Sequence, residues 1–160
     1  MAEALRTEVR RPDEIVDWSV IHKLRWEGLD SHFGWTGWPA PTERDQDPEA
    51  RHILTFNGDE LVGAVRVLPG KKMGQWLVGR MVAKYQRQGI GSITYERAEF
   101  EAISLGATSF ALAAVPLEGT VEFYEHHGYT KTDGIEICPG AYGEVRCAEM
   151  EKEIKNHDQT

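Results

Sequence analysis

The chain changes rhythm around residues 84–92. An apolar run from Leu77 to Ala83 reads as a strand, and the stretch from Ile93 to Leu105 reads as an amphipathic helix, with Gln86-Arg87-Gln88-Gly89-Ile90-Gly91 between them. A strand that enters a helix through such a turn leaves several backbone N–H groups without intrahelical partners. They point into one concavity together with the positive end of the helix. That arrangement suits a diphosphate-sized anion. Two glycines fit the task, since a missing Cβ permits unusual φ and lets an anion approach the main chain closely.

The remaining punctuation predicts alternating strands and helices. Leu5 to Val9 reads as a first strand, and Pro12-Asp13-Glu14 opens a helix that carries Ile15, Trp18, Ile21, His22 and Leu24 and ends near Gly28. Ser31 to Pro41 mixes aromatics with breakers and reads as irregular or partly helical. Arg51 to Phe56 and Leu61 to Leu68 form a hairpin around Asn57-Gly58-Asp59-Glu60, and Gln75 to Ala83 is the strand that feeds the glycine turn. On a two-residue period, Trp76, Val78, Arg80 and Val82 share one face of that strand. Ile93, Ala98, Ala102, Ile103 and Leu105 mark the buried side of the next helix, with Gly106 beyond its end. A buried strand follows from Thr108 to Val115, then a helix from Leu117 to His127, and strands from Tyr129 to Ile137 and Glu144 to Met150. A strand-helix-strand unit returns its second strand parallel to the first, so Thr108 to Val115 is expected beside Leu77 to Ala83.

At 160 residues the chain reads as one domain over 1–154, with a charged tail, 155–160, expected to fray. Lys and Arg number 18 against 26 Asp and Glu, a net charge of −8 that disfavours nucleic acid and anionic membranes as partners. The longest apolar run, Phe110 to Val115, is far too short to span a bilayer, and the first residues lack the order of a signal peptide, so a cytoplasmic protein is expected. Cys138 and Cys147 lack metal or disulfide-framework spacing and read as reduced thiols in or near paired strands. The six histidines form no ligand set, and no metal is predicted.

A second element makes the glycine turn specific. Val121-Glu122-Phe123-Tyr124-Glu125-His126-His127-Gly128-Tyr129 reads as a short helix stopped by glycine and followed by a strand. Together the two segments resemble the GCN5-related N-acetyltransferase (GNAT) superfamily, whose pattern is Q/R-x-x-G-x-G/A followed by F-Y-x-x-x-G-F/Y. The resemblance covers roughly residues 51–150. Around Asp47 to Leu54 and Gly79-Arg80-Met81 it is nearest to a small branch of bacterial and archaeal members that includes the ElaA-like proteins.

The resemblance implies an α/β (α+β) fold, the acyl-CoA N-acyltransferase fold. Its twisted sheet is mixed and mostly antiparallel, with six or seven strands flanked by about four helices, and a parallel strand pair splays at the cofactor site. It implies acetyl-CoA as cosubstrate and, as acceptor, an amine of a small molecule, amino acid or peptide. Backbone amides of Arg87, Gln88, Gly89, Ile90, Gly91 and Ser92 would hold the diphosphate, Gln86 would also belong to the cofactor site, and main-chain groups of Met81, Val82 and Ala83 would pair with the pantetheine arm. One of these amides would polarise the thioester carbonyl. Tyr124 stands where the family places the tyrosine that protonates the departing thiolate, beside the cofactor. Trp35 and Trp38 are expected to wall the acceptor pocket, and Arg80 to attract an anionic substrate group.

Two positions depart from the family pattern. Leu117 stands where many members carry an asparagine, and Cys147 falls in the final-strand stretch between Gly143 and Met150 where the nearest branch carries a histidine. His52, Glu60 and Glu149 are candidates to receive the amine proton, each with an alternative role at a strand edge or in solvent. A non-catalytic acyl-CoA-binding module of the same fold is therefore the competing expectation. A dinucleotide or P-loop site is disfavoured, because there is neither a G-x-G-x-x-G nor a Lys-Ser/Thr after the turn. A homodimer is the base-rate expectation for a sheet with an exposed edge.

Overall fold

Seven strands form one sheet in the order β1-β2-β3-β4-β5-β7-β6. They are β1 (Leu5–Arg10), β2 (Arg51–Asn57), β3 (Glu60–Pro69), β4 (Gln75–Ala83), β5 (Ser109–Ala114), β6 (Thr130–Gly140) and β7 (Gly143–Glu153). The helices are α1 (Trp18–Gly28), α2 (Glu43–Gln46), α3 (Ile90–Ser104) and α4 (Thr120–His126). The computed structural model describes residues 5–34, 41–85, 88–140 and 143–155, with backbone alone at 139 and 140. Trp35, Trp38, Gln86, Arg87 and most of the charged tail thus lie outside the described residues. No helix among the described residues is long and apolar enough to cross a membrane.

Every adjacent pair is antiparallel except β4 and β5, as the fold expectation requires. The parallel ladder runs only from Gln75 opposite Ser109 to Val78 opposite Leu112. Beyond that point β4 stays paired with β3 as far as Ala83, while β5 stays paired with β7 as far as Ala114. The two strands therefore part, and each keeps one partner for its backbone groups while offering the other edge to the gap.

Alternation along the strands divides the core in two. Ile53, Val65, Val67, Val78, Phe110 and Leu112 meet Tyr95, Ala98 and Ala102 of α3 on one face. Leu54, Ala64 and Val82 meet Ile21 and Leu24 of α1 on the other. Gly63 lets α3 come close, because a Cβ there would stand 2.5 Å from Thr94 Oγ1. That hydroxyl is 2.6 Å from Thr55 Oγ1 and donates to the Ile90 carbonyl at 2.7 Å, so it pins the start of α3 to β2.

Three local expectations are corrected. The helix expected from Pro12 is broken: Pro12–Glu14 is a single 3-10 turn, Ile15 is extended, and α1 begins after Asp17, whose carboxylate accepts from the Ser19 amide. The α3 helix starts three residues earlier than its apolar pattern suggests and buries Ile90, Thr94, Tyr95, Ala98 and Ala102, leaving Ile93, Ile103 and Leu105 about 40 % exposed. Leu117 to Gly119 is a loop, and α4 begins only at Thr120. The hairpin forms at Asn57-Gly58-Asp59-Glu60 as expected, with Asn57 paired to Glu60 and Gly58 at φ 62.

Candidate active site

The period-two reading of β4 fails at Arg80, and the failure shapes the site. Arg66 pairs with Gly79 and Ala64 with Val82, so Arg80 and Met81 together oppose Val65. This is a β-bulge, and Arg80 takes up the extra residue at φ 57, the one positive φ of a non-glycine among the described residues. Val78 therefore faces the α3 side, whereas Val82 packs under α1. Met81 turns towards the α3 side in its place. A non-glycine held at positive φ costs about 1–3 kcal/mol unless its surroundings over-determine it. Here they do, since the Arg80 guanidinium grips both oxygens of Asp30 at 2.8 Å each.

The parting of β4 from β5 opens a groove of about 710 Å³. One wall is β4 from Val78 to Ala83 and the start of α3, Gly89 to Ser92; the other is Ala113, Val115 and the loop into α4, with Phe123 and Tyr124. Gly28, Leu29 and His32 border it from the α1 side. Met81, Val82, Ala83, Gly89, Ile90, Gly91, Ser92, Tyr124 and Arg80 thus come together along one cleft. Gln88 is exposed and lies outside the described walls.

The two glycines of the turn serve different ends. Gly89 caps α3 at φ 77 with nothing within 4 Å of a would-be Cβ, so its role is conformational. A Cβ at Gly91 would stand 3.2 Å from Phe123, so its role is to let the first turn of α3 close on α4. No side chain caps α3, and the amides of Ile90, Gly91 and Ser92 have no partner among the described residues. Donors so placed at the positive end of a fifteen-residue helix have the chemistry that suits an anion.

Tyr124 is 6 % exposed and sits edge-on to Tyr95, Phe123 and Tyr129. Burial pushes its hydroxyl pKa up, with no hydrogen bond from a described residue to offset it. The proton is thus held firmly, and the hydroxyl is uncommitted among the described residues. Deeper in the cluster, Tyr95 Oη lies 2.7 Å from Glu99 Oε2 and 2.8 Å from Tyr129 Oη. With one proton to give, Tyr95 donates to the carboxylate and accepts from Tyr129. Lys152 closes this chain by donating to the same Glu99 oxygen at 2.6 Å and to the His127 carbonyl at 2.7 Å.

The expected proton acceptors fall elsewhere. His52 is 1 % exposed, donates Nε2–H to the Asp45 carbonyl at 2.9 Å, and is covered edge-on by Trp18. Burial lowers its pKa to about 4. Glu60 is engaged by Lys84 at 2.6 Å and by the Tyr85 hydroxyl at 3.0 Å. Glu149 stands on β7 opposite Ala113, outside the described walls of the groove. His32, which periodicity does not single out, is the one imidazole along those walls. Its 3-10 turn, Asp30–Phe33, is tied to the bulge by the Arg80–Asp30 pair.

Beneath the bulge lies an ionic cluster that sequence patterning also missed. Asp45 accepts from Arg25 at 3.0 Å, from Arg66 at 2.9 Å and from the Thr42 amide at 3.1 Å. Burial opposes its ionisation, but the two guanidiniums and the amide outweigh it and hold its carboxyl well below the usual range. The Arg66 guanidinium lies against Gly79, where a Cβ would stand 2.9 Å from Nη2. The bulge is thus supported from below by Arg66 and from the side by Asp30.

Residues 17–129 match the acetyltransferase (GNAT) family, and the chain belongs to it. No curated protein matches the chain. Solved structures with the same fold include Escherichia coli ElaA, at TM-score 0.73 and 16 % identity over 94 % of this chain and 100 % of that one. An acyl-CoA N-acyltransferase from Pseudomonas aeruginosa superposes at TM-score 0.72 and 18 % identity, over 93 % and 99 %. A GNAT family acetyltransferase from Elizabethkingia anophelis with acetyl-CoA bound does so at 0.65 and 14 %, over 94 % and 98 %.

Proposed function

We propose that this member of the acetyltransferase (GNAT) family moves an acetyl group from acetyl-CoA to a primary amine of a small molecule, amino acid or peptide, by direct attack within a ternary complex in the cytoplasm. One observation carries the reading: the uncapped start of α3, the edge of β4 that parts from β5 beyond Val78 and the Tyr124 side chain border the same groove. The distant relative from Elizabethkingia anophelis with acetyl-CoA bound supports the choice of cosubstrate.

In this reading the amides of Ile90, Gly91 and Ser92 hold the diphosphate, and the edge of β4 from Met81 to Ala83 pairs with the pantetheine arm as a neighbouring strand would. An amide beside the bulge polarises the thioester carbonyl. Tyr124 gives its proton to the sulfur as the C–S bond breaks. A phenol that stays protonated throughout the working range suits this acid role. The acceptor enters from the α1 side, where His32 takes its ammonium proton so that a neutral amine attacks. Arg80, already paired with Asp30, acts on the acceptor chiefly by fixing that turn. Trp35 and Trp38 follow it in the chain and are proposed as acceptor walls.

Calorimetry with acetyl-CoA and thiol release over a panel of amines test the reading. Tyr124→Phe should lower turnover about a hundredfold while leaving acetyl-CoA affinity within a factor of two. Equal turnover in the two proteins would remove the acid role. Tight binding without turnover across the panel would instead mark an acyl-CoA-binding module of the same fold.

A further inference from the structure

We infer that His127 is a positioning residue for the diphosphate of the CoA carrier, acting through the Ser92 hydroxyl, so that the carrier is held more tightly when the imidazole is protonated. The inference rests on the carrier reading above and adds to it a side-chain relay behind the backbone cradle.

Ser92 occupies the first turn of α3 and borders the groove, and its Oγ stands 3.0 Å from His127 Nε2. The imidazole closes the C-terminal end of α4, between the rings of Tyr95 at 4.8 Å and Phe123 at 4.7 Å. Lys152 fixes the same residue through its carbonyl at 2.7 Å. The ring is therefore flanked by two aromatic rings, its residue is anchored through the backbone, and it reaches the cleft through one hydroxyl.

A serine has one proton, and its direction decides what the groove meets. If Nε2 is bare, Ser92 donates to it and turns lone pairs towards the cleft, which repels a phosphate oxygen. If Nε2 carries hydrogen, the imidazole donates to Ser92, and the serine proton is released towards the cleft beside the amides of Ile90 and Gly91. Imidazolium enforces the second arrangement and adds a positive charge behind it. A bound anion and a protonated His127 thus favour each other reciprocally.

The charged and titratable groups that face the ring are Tyr95, Glu96 and Glu99 from α3, His126 from α4 and Lys152 from β7. Burial lowers the His127 pKa first; Glu96 raises it, His126 and Lys152 lower it, and Glu99 raises it. The free protein therefore holds His127 neutral down to lower pH than an ordinary histidine, and the diphosphate moves its pKa up. The extra affinity is fully present below the free-state pKa and is lost as pH rises through the bound-state pKa.

Dephospho-CoA is the probe, because it keeps the diphosphate and lacks the 3′-phosphomonoester, which itself titrates near pH 6. Calorimetry on the full chain between about pH 5.5 and pH 8 should show wild-type affinity falling about fivefold to tenfold as pH rises. His127→Phe and Ser92→Ala should each match the weaker value at both pH values, and the double variant should be no worse than either, while His126→Gln keeps the dependence. A purely structural role for His127 would weaken binding equally at both pH values and would overturn the inference, as would a slope that follows His126. Ser92→Ala leaves the aromatic packing untouched, so the test survives if His127→Phe fails to fold. In histidine-labelled wild type, the His127 resonance should titrate at higher pH with dephospho-CoA than without it, and no movement would also overturn the relay. If the folded wild type takes up no dephospho-CoA at any pH, it is the carrier reading that fails; a relay failure alone leaves binding intact and flat with pH.

Discussion

On the α3 side of the sheet, Ile53, Val65, Val67 and Val78 meet Tyr95, Ala98 and Ala102, apolar carbon against apolar carbon. On the α1 side the same strands present His52 and Arg66, both fully or nearly buried, to Arg25 and Asp45. The first face is stabilised by area removed from water, about 1.5–3 kcal/mol for each large side chain, with little preference for one arrangement of similar residues over another. The second gains little net free energy, since desolvating the charges offsets most of their attraction, but any missing partner is costly. The contrast fits their positions. The apolar face carries the sheet, whereas the charged face sets α1, α2 and the β4 bulge at the mouth of the groove, where a displacement of one ångström matters to chemistry.

The largest test of this contrast is Asp45→Asn, which leaves Arg25 and Arg66 buried without a counter-charge at nearly unchanged volume. Urea unfolding should report a loss of about 3–5 kcal/mol. A loss below about 1 kcal/mol would mean that the α1 face is held by its apolar margin after all.

The next test is pH. Burial keeps His52 neutral in the folded chain until about pH 4, whereas the unfolded chain takes up that proton near pH 6.5. The unfolded state therefore binds more protons between these values, and stability present above about pH 6.5 is lost as pH falls towards 4, by about 3 kcal/mol in total. Below that range Asp45, with its depressed pKa, continues the loss. His52→Gln, which keeps a donor for the Asp45 carbonyl, should flatten the upper part of the curve; an unchanged slope would assign it to other groups.

The smallest expected effect belongs to the apolar face. Ile53, 0 % exposed, should lose about 1 kcal/mol on conversion to Val, equally at pH 5 and pH 8. A pH-dependent cost there would break the division between the two faces.

What could be read without coordinates follows this division. The β4 strand was placed residue for residue, and the turn at Gly89 and Gly91 and the aromatic pair Phe123-Tyr124 were legible because each signal lies within a few neighbouring positions. The buried side of α3 was misread, because Ile93 and Ile103 look as apolar as Ile90, and Thr94 and Tyr95 look less so. Only the docking of Thr94 on Thr55, and of the Tyr95 hydroxyl on Glu99 and Tyr129, makes those two the inner residues. The alternation of β4 was misread because a bulge changes no composition. His52 resembles an accessible base until Trp18 and Asp45 enclose it.

The order of residues alone determined the succession of strands and helices, the glycine turn that opens α3 and the family pattern, since backbone freedom, periodicity and helix ends act over one or two turns of chain. The partners of the arginines were decided only in three dimensions: Arg25 and Arg66 meet Asp45 across 20 and 21 positions, and Arg80 meets Asp30 across 50. A charge can be buried only where an opposite charge arrives with it, and which one arrives depends on how the whole sheet closes, a property that no short stretch of sequence contains.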